Sequence, residues 1–274
     1  MKEYAMEKDV QGIVDLASAY YGSAVLFAAI DCGVFVQIEE GRFDASAKGP
    51  RLLADACVAL GLLSKGADGT YSNTAAGRLA LVPGAPADLT KAICYNRDVY
   101  PAWGKLAQFV RTSHPVENPA LHLGDDSSRT GAFADAMYSR AMGIGRGVIP
   151  MLGAIDGRVL DLAGGPAAYA ILMCKANPRL SVVTVDLPAI SKFAEKNVAD
   201  EGLSGRIECR SGDYRSDEYE SGAYDAVTIF GALHQESPED IRASLGRATR
   251  ALRPGGKIFI LDMMTDATDR KSVV

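Results

Sequence analysis

The stretch Val159-Leu-Asp-Leu-Ala-Gly-Gly-Pro-Ala167 decides the fold. A short apolar run ends near an acid, turns on two adjacent glycines and enters a helix-forming segment, so it reads as strand, tight turn and helix N-terminus. A turn of small residues lets a ligand approach the backbone, and the free N–H groups and dipole of the helix face that ligand. A lone Gly-Gly pair is as readily a plain turn. Here its surroundings argue for more. Four further short runs follow, Val182 to Asp186, Arg206 to Cys209, Asp225 to Phe230 and Lys257 to Leu261, alternating with segments of helical character. That rhythm predicts βαβ units and a parallel sheet.

The second of these strands ends in Asp186, 22 residues beyond Gly164. An acid at that strand tip is where a ribose diol is held by two hydrogen bonds; Asp186 also reads as a cap for the helix after Leu187-Pro188. The third strand runs into Gly212-Asp213-Tyr214. A carboxylate beside an aromatic ring at a strand tip accepts from an adenine amino group while the ring stacks on the base, although Asp213 reads equally as a turn residue.

Upstream, the chain reads as helices over Val10 to Ile30, Arg51 to Leu63, Tyr100 to Val110 and Gly131 to Leu152. The change of rhythm near Gly153 to Arg158 places a domain boundary at 154/155. Within the first half, Ala59 to Thr74 reads as a helix end, a turn and a short strand pair, the layout of a winged helix. Charges nearly cancel between Gly41 and Thr74, and with 34 acids against 29 lysines and arginines the whole chain lacks a basic stripe, so nucleic acid is not an expected partner.

The 274 residues, 48% of them apolar, suffice for one large or two ordinary domains without disulfides or metals. Five cysteines, Cys32, Cys57, Cys94, Cys174 and Cys209, are widely spaced and form no C-x-x-C pair, and they read as reduced core residues. None of His114, His122 and His234 lies three or four residues from another His or Cys, so no metal site is expected. The longest apolar run, Ala24 to Ile30, is too short to cross a bilayer, and the N-terminal residues carry acids where a signal peptide is apolar. A cytoplasmic protein is the expectation.

The glycine turn departs from G-x-G-x-x-G, because Gly164 and Gly165 are adjacent and the third glycine is missing, which disfavours NAD. Taken together, Asp161-Leu-Ala-Gly-Gly165, Asp186-Leu-Pro188, Gly212-Asp-Tyr214, Leu233-His234 and Leu252-Arg-Pro-Gly-Gly-Lys257 occur in an order and at intervals that carry a family resemblance. The chain resembles the S-adenosylmethionine-dependent O-methyltransferases of the hydroxyindole, caffeate and polyketide-tailoring type. The resemblance implies an α/β chain: a Rossmann-like class I methyltransferase sheet over residues 155–274, preceded by a mostly helical, winged-helix-type domain over 1–154 that dimerises and covers the substrate. It implies that Asp161, Gly164 and Gly165 lie along the methionine part of S-adenosyl-L-methionine, Asp186 at the ribose, and Asp213 with Tyr214 at the adenine.

In the family the catalytic base is a histidine in a Leu-His followed by a polar stretch, the place His234 takes in Ala232-Leu-His-Gln-Glu-Ser-Pro-Glu239. A phenol or enol is a poor nucleophile until it loses its proton, and an imidazole of ordinary pKa about 6.5 accepts one at neutral pH. A lone histidine after a strand is more often structural, but this one sits at the C-terminal rim of a parallel sheet, where ligands bind. Asp262, at the end of the fifth strand, resembles the acid that orients that histidine; a solvated strand-end acid is the equal alternative. Met137 takes the place of a substrate-contacting methionine in relatives, and Met263, Met264 and Trp103 are further candidates for an aromatic wall, against the plainer reading of methionines as core filler. His114 and His122 are assigned no role.

Two departures from the family are expected to matter. Only about ten residues, Gly41 to Pro50, stand where relatives carry an extra helix of the winged fold. The sequence also ends twelve residues past Asp262, where this fold adds a helix and two strands, so the sheet is expected to be truncated after its fifth strand. The reading is a homodimeric, metal-independent O-methyltransferase acting on a hydroxyl of a small aromatic or polyketide-like molecule. Its rivals are a non-catalytic dimeric module that keeps the cofactor site and, further off, an NAD-dependent oxidoreductase.

Overall fold

The computed structural model describes residues 9–263. They form two compact units that divide between Lys105 and Leu106.

The first unit is helical with a small wing. Helix α1 (Val10–Ser18) starts where the Asp9 carboxylate accepts from the Gly12 N–H at 2.7 Å, and α2 (Tyr20–Asp31) follows after a single residue. The short α3 (Val34–Glu39) and α4 (Lys48–Ala59) lead to the antiparallel pair β1 (Leu63–Lys65) and β2 (Tyr71–Asn73). Leu63 was expected to end a helix; it opens a strand instead, because the helix stops at Ala59 and Gly61 turns the chain. Helices α5 (Ala75–Ala80) and α6 (Thr90–Trp103) complete the unit. Ala29, Val34, Phe35, Ala54, Cys57, Leu63 and Leu81 form its core. Asn73 ties the wing to α3: its buried amide donates to Phe35 O at 2.9 Å and to the Glu39 carboxylate at 3.0 Å.

The outer face of α1 is apolar and uncovered among the described residues, with Val10 80% and Leu16 62% exposed. Among the described residues, Val10–Asp31 is the one helical stretch long and apolar enough to cross a bilayer by length and composition. Gln11, Asp15, Ser18 and Ser23 interrupt its apolar pattern, so no unbroken apolar run marks it in the sequence.

The second unit opens with α7 (Leu106–Thr112) and the long α8 (Ser127–Val148), capped by the Asp126 carboxylate on the N–H groups of Ser128 and Arg129. Then β3 (Gly157–Leu162), α9 (Ala168–Ala176), β4 (Leu180–Asp186), α10 (Pro188–Asp200), β5 (Ile207–Ser211), β6 (Tyr224–Phe230), α11 (Pro238–Ala251) and β7 (Leu252–Leu261) follow in turn. The five strands are parallel in the order β5-β4-β3-β6-β7. Both faces are covered, which is why the strands read as nearly continuous apolar runs. Val159, Val182 and Ala226 pack on one face with Ile171 and Met173 of α9; Leu160, Leu162, Val183, Val227 and Ile229 pack on the other with Ala248 and Ala251 of α11. Each such Val, Leu or Ile contributes roughly 1.5–3 kcal/mol by leaving water.

Helix α8 packs on α9, where a side chain on Gly145 would overlap Leu172 and crowd Tyr169. Packing therefore groups the long helix with the sheet, while the change of sequence rhythm placed a boundary at 154/155. At the N-terminal end of the sheet the Asp225 carboxylate accepts from Arg158 N at 2.7 Å and from the Arg253 guanidinium at 2.8 Å, joining β3, β6 and the start of β7.

Candidate active site

Strand order reverses direction between β3 and β6, so the crevice at the C-terminal ends of these strands is the place where an open parallel sheet takes ligands. The turn after β3 fills it with backbone. Ala163 (φ 53°), Gly165 (φ 58°) and Ala167 (φ 65°) all adopt left-handed conformations, which cost an alanine about 1 kcal/mol or more each. Gly164 lies so close to the strands that a Cβ would overlap Thr184 Oγ1 and the Asp161 carboxylate.

Beneath the turn, Asp161 is buried. Its Oδ1 accepts from Thr228 Oγ1 at 2.6 Å and its Oδ2 from Thr184 Oγ1 at 3.2 Å. Both threonines are its register partners on the flanking strands, so three strands share one carboxylate. Burial pushes its pKa up to about 6, against the two hydroxyls and with a further push from Asp186. Asp161 thus underpins the turn from inside the sheet.

Asp186 joins two loops. Its Oδ2 accepts from Gly165 N at 2.7 Å and its Oδ1 from Leu187 N at 2.7 Å. Burial raises its pKa, those two N–H groups oppose the shift, and Asp213 adds to it. No side chain caps α10. Each Asp186 oxygen keeps a further lone pair, so the carboxylate can still receive a diol.

Asp213 sits in a tight turn, its carbonyl accepting from Ser216 and Asp217 N–H groups, and its carboxylate is paired with Arg215 (Nη2 to Oδ2, 2.7 Å), which holds its pKa below the usual range. The turn reading of Asp213 is thus the one the geometry displays. Tyr214, half-buried, donates its hydroxyl to Glu236 Oε1 at 2.8 Å.

After β6 the chain makes a single 3₁₀ turn, Leu233–Gln235, anchored by buried Leu233. His234 projects from it with 29% of its side chain exposed, and its Nδ1 lies 2.7 Å from Asp262 Oδ1. Asp262 is almost fully buried. Burial works against its charge, but the Met263 N–H, His234 and the Leu233 N–H at 2.7 Å outweigh it and lower its pKa. A carboxylate on Nδ1 fixes the tautomer with its proton there and leaves Nε2 as acceptor.

The structure therefore brings Gly164, Gly165, Asp161 and Asp186 into one cluster, and His234 and Asp262 into a pair. Met137 is half-buried on α8; Met263 and Trp103 are each 54% exposed; Met264 lies outside the described residues. His114 is exposed beside Thr112 O, and the His122 ring stands near Glu117 and Phe133. Sequence reasoning missed Thr184, Thr228 and Glu236, whose contacts depend on strand register or on the crossover from β5 to β6, and Arg215, whose pairing with Asp213 is local to the turn.

A methyltransferase-domain family model matches residues 159–256. Over 269 residues the chain is 31% identical to 3-hydroxy-5-methyl-1-naphthoate 3-O-methyltransferase of Streptomyces sahachiroi, covering 93% of this chain and 77% of that protein. It is 27% identical to acetylserotonin O-methyltransferase of Rattus norvegicus, covering 95% of this chain and 65% of that one. Among solved structures, an O-methyltransferase family protein from Burkholderia thailandensis superposes with a TM-score of 0.81 at 25% identity, over 97% of this chain and 83% of its own. With the glycine turn, the acids Asp186, Asp213 and Asp262 at or just past three strand ends and the His-Asp pair in place, these likenesses show that the chain belongs to the S-adenosylmethionine-dependent O-methyltransferases of the hydroxyindole and polyketide-tailoring type.

Proposed function

We propose that this enzyme methylates a hydroxyl of a small aromatic or polyketide-like acceptor, with His234 as general base and no metal. The cradle fits the cofactor: the missing Cβ of Gly164 lets the turn sit directly on Thr184 and Asp161, the space at Gly165 is open, and Asp186 keeps lone pairs free at a half-buried carboxylate. The Gly164–Gly165 turn, supported by Asp161, would hold the methionine part, Asp186 the ribose, and Asp213 with Tyr214 the adenine. Bound there, S-adenosylmethionine supplies a methyl group on a positively charged sulfur.

The chain's own part is proton removal. The acceptor hydroxyl gives its proton to His234 Nε2, while Asp262 at Nδ1 holds the ring in place and stabilises the imidazolium. A positioned base of this kind contributes roughly 10²–10⁴-fold. The His234–Asp262 pair at the sheet's C-terminal rim is the observation that carries the reading. Half-buried Met137 is placed along the acceptor. Residues 1–154 are assigned to homodimerisation and to covering the substrate, a reading supported by the exposed apolar face of α1; under it, Val10–Asp31 is an interface between copies, and the protein works in the cytoplasm.

The test pairs binding with turnover. Calorimetry should show S-adenosylhomocysteine binding and no NAD binding. With 3-hydroxy-5-methyl-1-naphthoate among a panel of hydroxynaphthoates and hydroxyindoles, His234→Ala should lose at least about 100-fold in kcat while binding S-adenosylhomocysteine like the parent. Parent-like turnover by this variant would remove His234 from the role of base. Cofactor binding by the parent without turnover on any acceptor would favour the non-catalytic module.

A further inference from the structure

The turn that carries His234 is held from two sides. On one side Asp262 grips both His234 and the Leu233 N–H. On the other, Glu236, two residues past the histidine, accepts the Tyr214 hydroxyl at 2.8 Å. That second bond joins the chain leaving β5 to the chain leaving β6, strands separated in the sheet by β4 and β3. It also closes a circuit. Ser237 caps α11 by accepting from the Asp240 N–H, and ten residues along the chain from Ser237 the Arg247 guanidinium reaches back to the carbonyls of Tyr214 and Arg215 and to buried Ser244. The ring of Tyr214 packs against the sheet core, its pKa raised by burial and by Glu236 beside it. The hydroxyl thus stays a donor to the carboxylate across the working pH range.

We propose that Glu236 is a positioning residue that links cofactor binding to the base: through Tyr214 it fixes the 3₁₀ turn, so that a nucleoside seated against Tyr214 sets the place of His234. The proposal rests on the assignment of Tyr214 to the adenine and of His234 to proton removal. Neither Glu236 nor its bond touches the reacting atoms. A hydrogen bond with one charged partner is stronger than a neutral pair, and a link of this length transmits a shift of one loop directly to the other.

The experiment follows the imidazole resonances of the full chain by NMR as S-adenosylhomocysteine is added, with His234 assigned by its absence in His234→Ala. In the parent the His234 resonance should move on binding. In Tyr214→Phe, which keeps the ring in the core, and in Glu236→Ala the movement should vanish. In Glu236→Gln, whose amide oxygen still accepts the phenol, it should persist. Calorimetry should show each of the two disruptive variants weakening S-adenosylhomocysteine by about tenfold, and the double variant no worse than either. An undiminished His234 shift in Tyr214→Phe, or a double variant whose loss is the product of the single losses, would overturn the link. If His234→Ala turns over like the parent while the shift and the non-additivity hold, the base assignment falls and the link stands. Loss of turnover in His234→Ala together with an undiminished shift in Tyr214→Phe would do the reverse.

Discussion

Replacing Asp161 by Asn isolates the cost of keeping a charge under the glycine turn. In the folded chain burial raises this carboxyl from 3.8 to about 6, although two threonine hydroxyls donate to it. A raised pKa means that the native state binds a proton that the unfolded chain has already released. The carboxyl therefore adds stability below about pH 4, and that stability is lost as pH rises through 6. Two pKa units at about 1.4 kcal/mol each make the loss about 3 kcal/mol between pH 4 and 7. Asn has no such titration. The stability of the parent minus that of Asp161→Asn should thus fall by about 3 kcal/mol across that window and stay level above it. The repulsion between Asp161 and Asp186 is part of that shift, so it is contained in the same loss of about 3 kcal/mol. Urea unfolding at pH steps gives the measurement. Trp103, the one tryptophan, reports the first unit by fluorescence, and the far-UV circular dichroism change not shared with it reports the sheet. A difference that is flat with pH, or that grows as pH rises, would refute the argument.

Asp262→Asn should lower kcat by at least about 100-fold with S-adenosylhomocysteine affinity unchanged, since an amide no longer stabilises the imidazolium. Because the Asp262 pKa is lowered in the fold, the parent should also lose stability relative to this variant as pH falls through the acidic carboxylate range, visible in the same urea series. Gly164→Ala forces a methyl onto Thr184 and Asp161, and it should cost about 1–3 kcal/mol of stability and abolish calorimetric binding of S-adenosylhomocysteine. On the proposal of a homodimer, the parent should scatter light as a dimer and the paired substitutions Ile13→Asp and Leu16→Asp on the exposed face of α1 should give a monomer, with S-adenosylhomocysteine affinity within about twofold.

The sheet was legible because both of its faces are buried. Runs such as Val182 to Val185 carry no polar interruption except Thr184, and that residue turned out to serve the site. The acids at strand tips were legible because each closes an apolar run, and Asp186 and Asp262 are both held by backbone N–H groups that no motif displays. What escaped reading were relations between strands. Thr184 and Thr228 meet Asp161 only because the register sets all three side by side, and Glu236 meets Tyr214 only because the chain crosses from β5 to β6 without a helix. Helix boundaries slipped for local reasons. Val10 to Ile30 is two helices parted at Ala19, and the segment read as Tyr100 to Val110 is split at Gly104 and Lys105 between α6 and α7.

Two carboxylates of the sheet, Asp161 near its C-terminal end and Asp225 at the opposite end, act as a proofreading device for the alignment of β3 with β6. A slip of two residues between β3 and β6 would preserve the alternation of apolar faces, so packing alone discriminates poorly against it. The same slip would part Asp161 from Thr228 and Asp225 from the Arg158 N–H at once. Parting Asp161 from Thr228 strands a buried carboxylate oxygen at about 1–3 kcal/mol, while Asp225, partly exposed and still paired with Arg253, adds a smaller cost. A misaligned sheet is thereby penalised most at the end that carries the glycine turn, and that turn forms on strands that are correctly aligned.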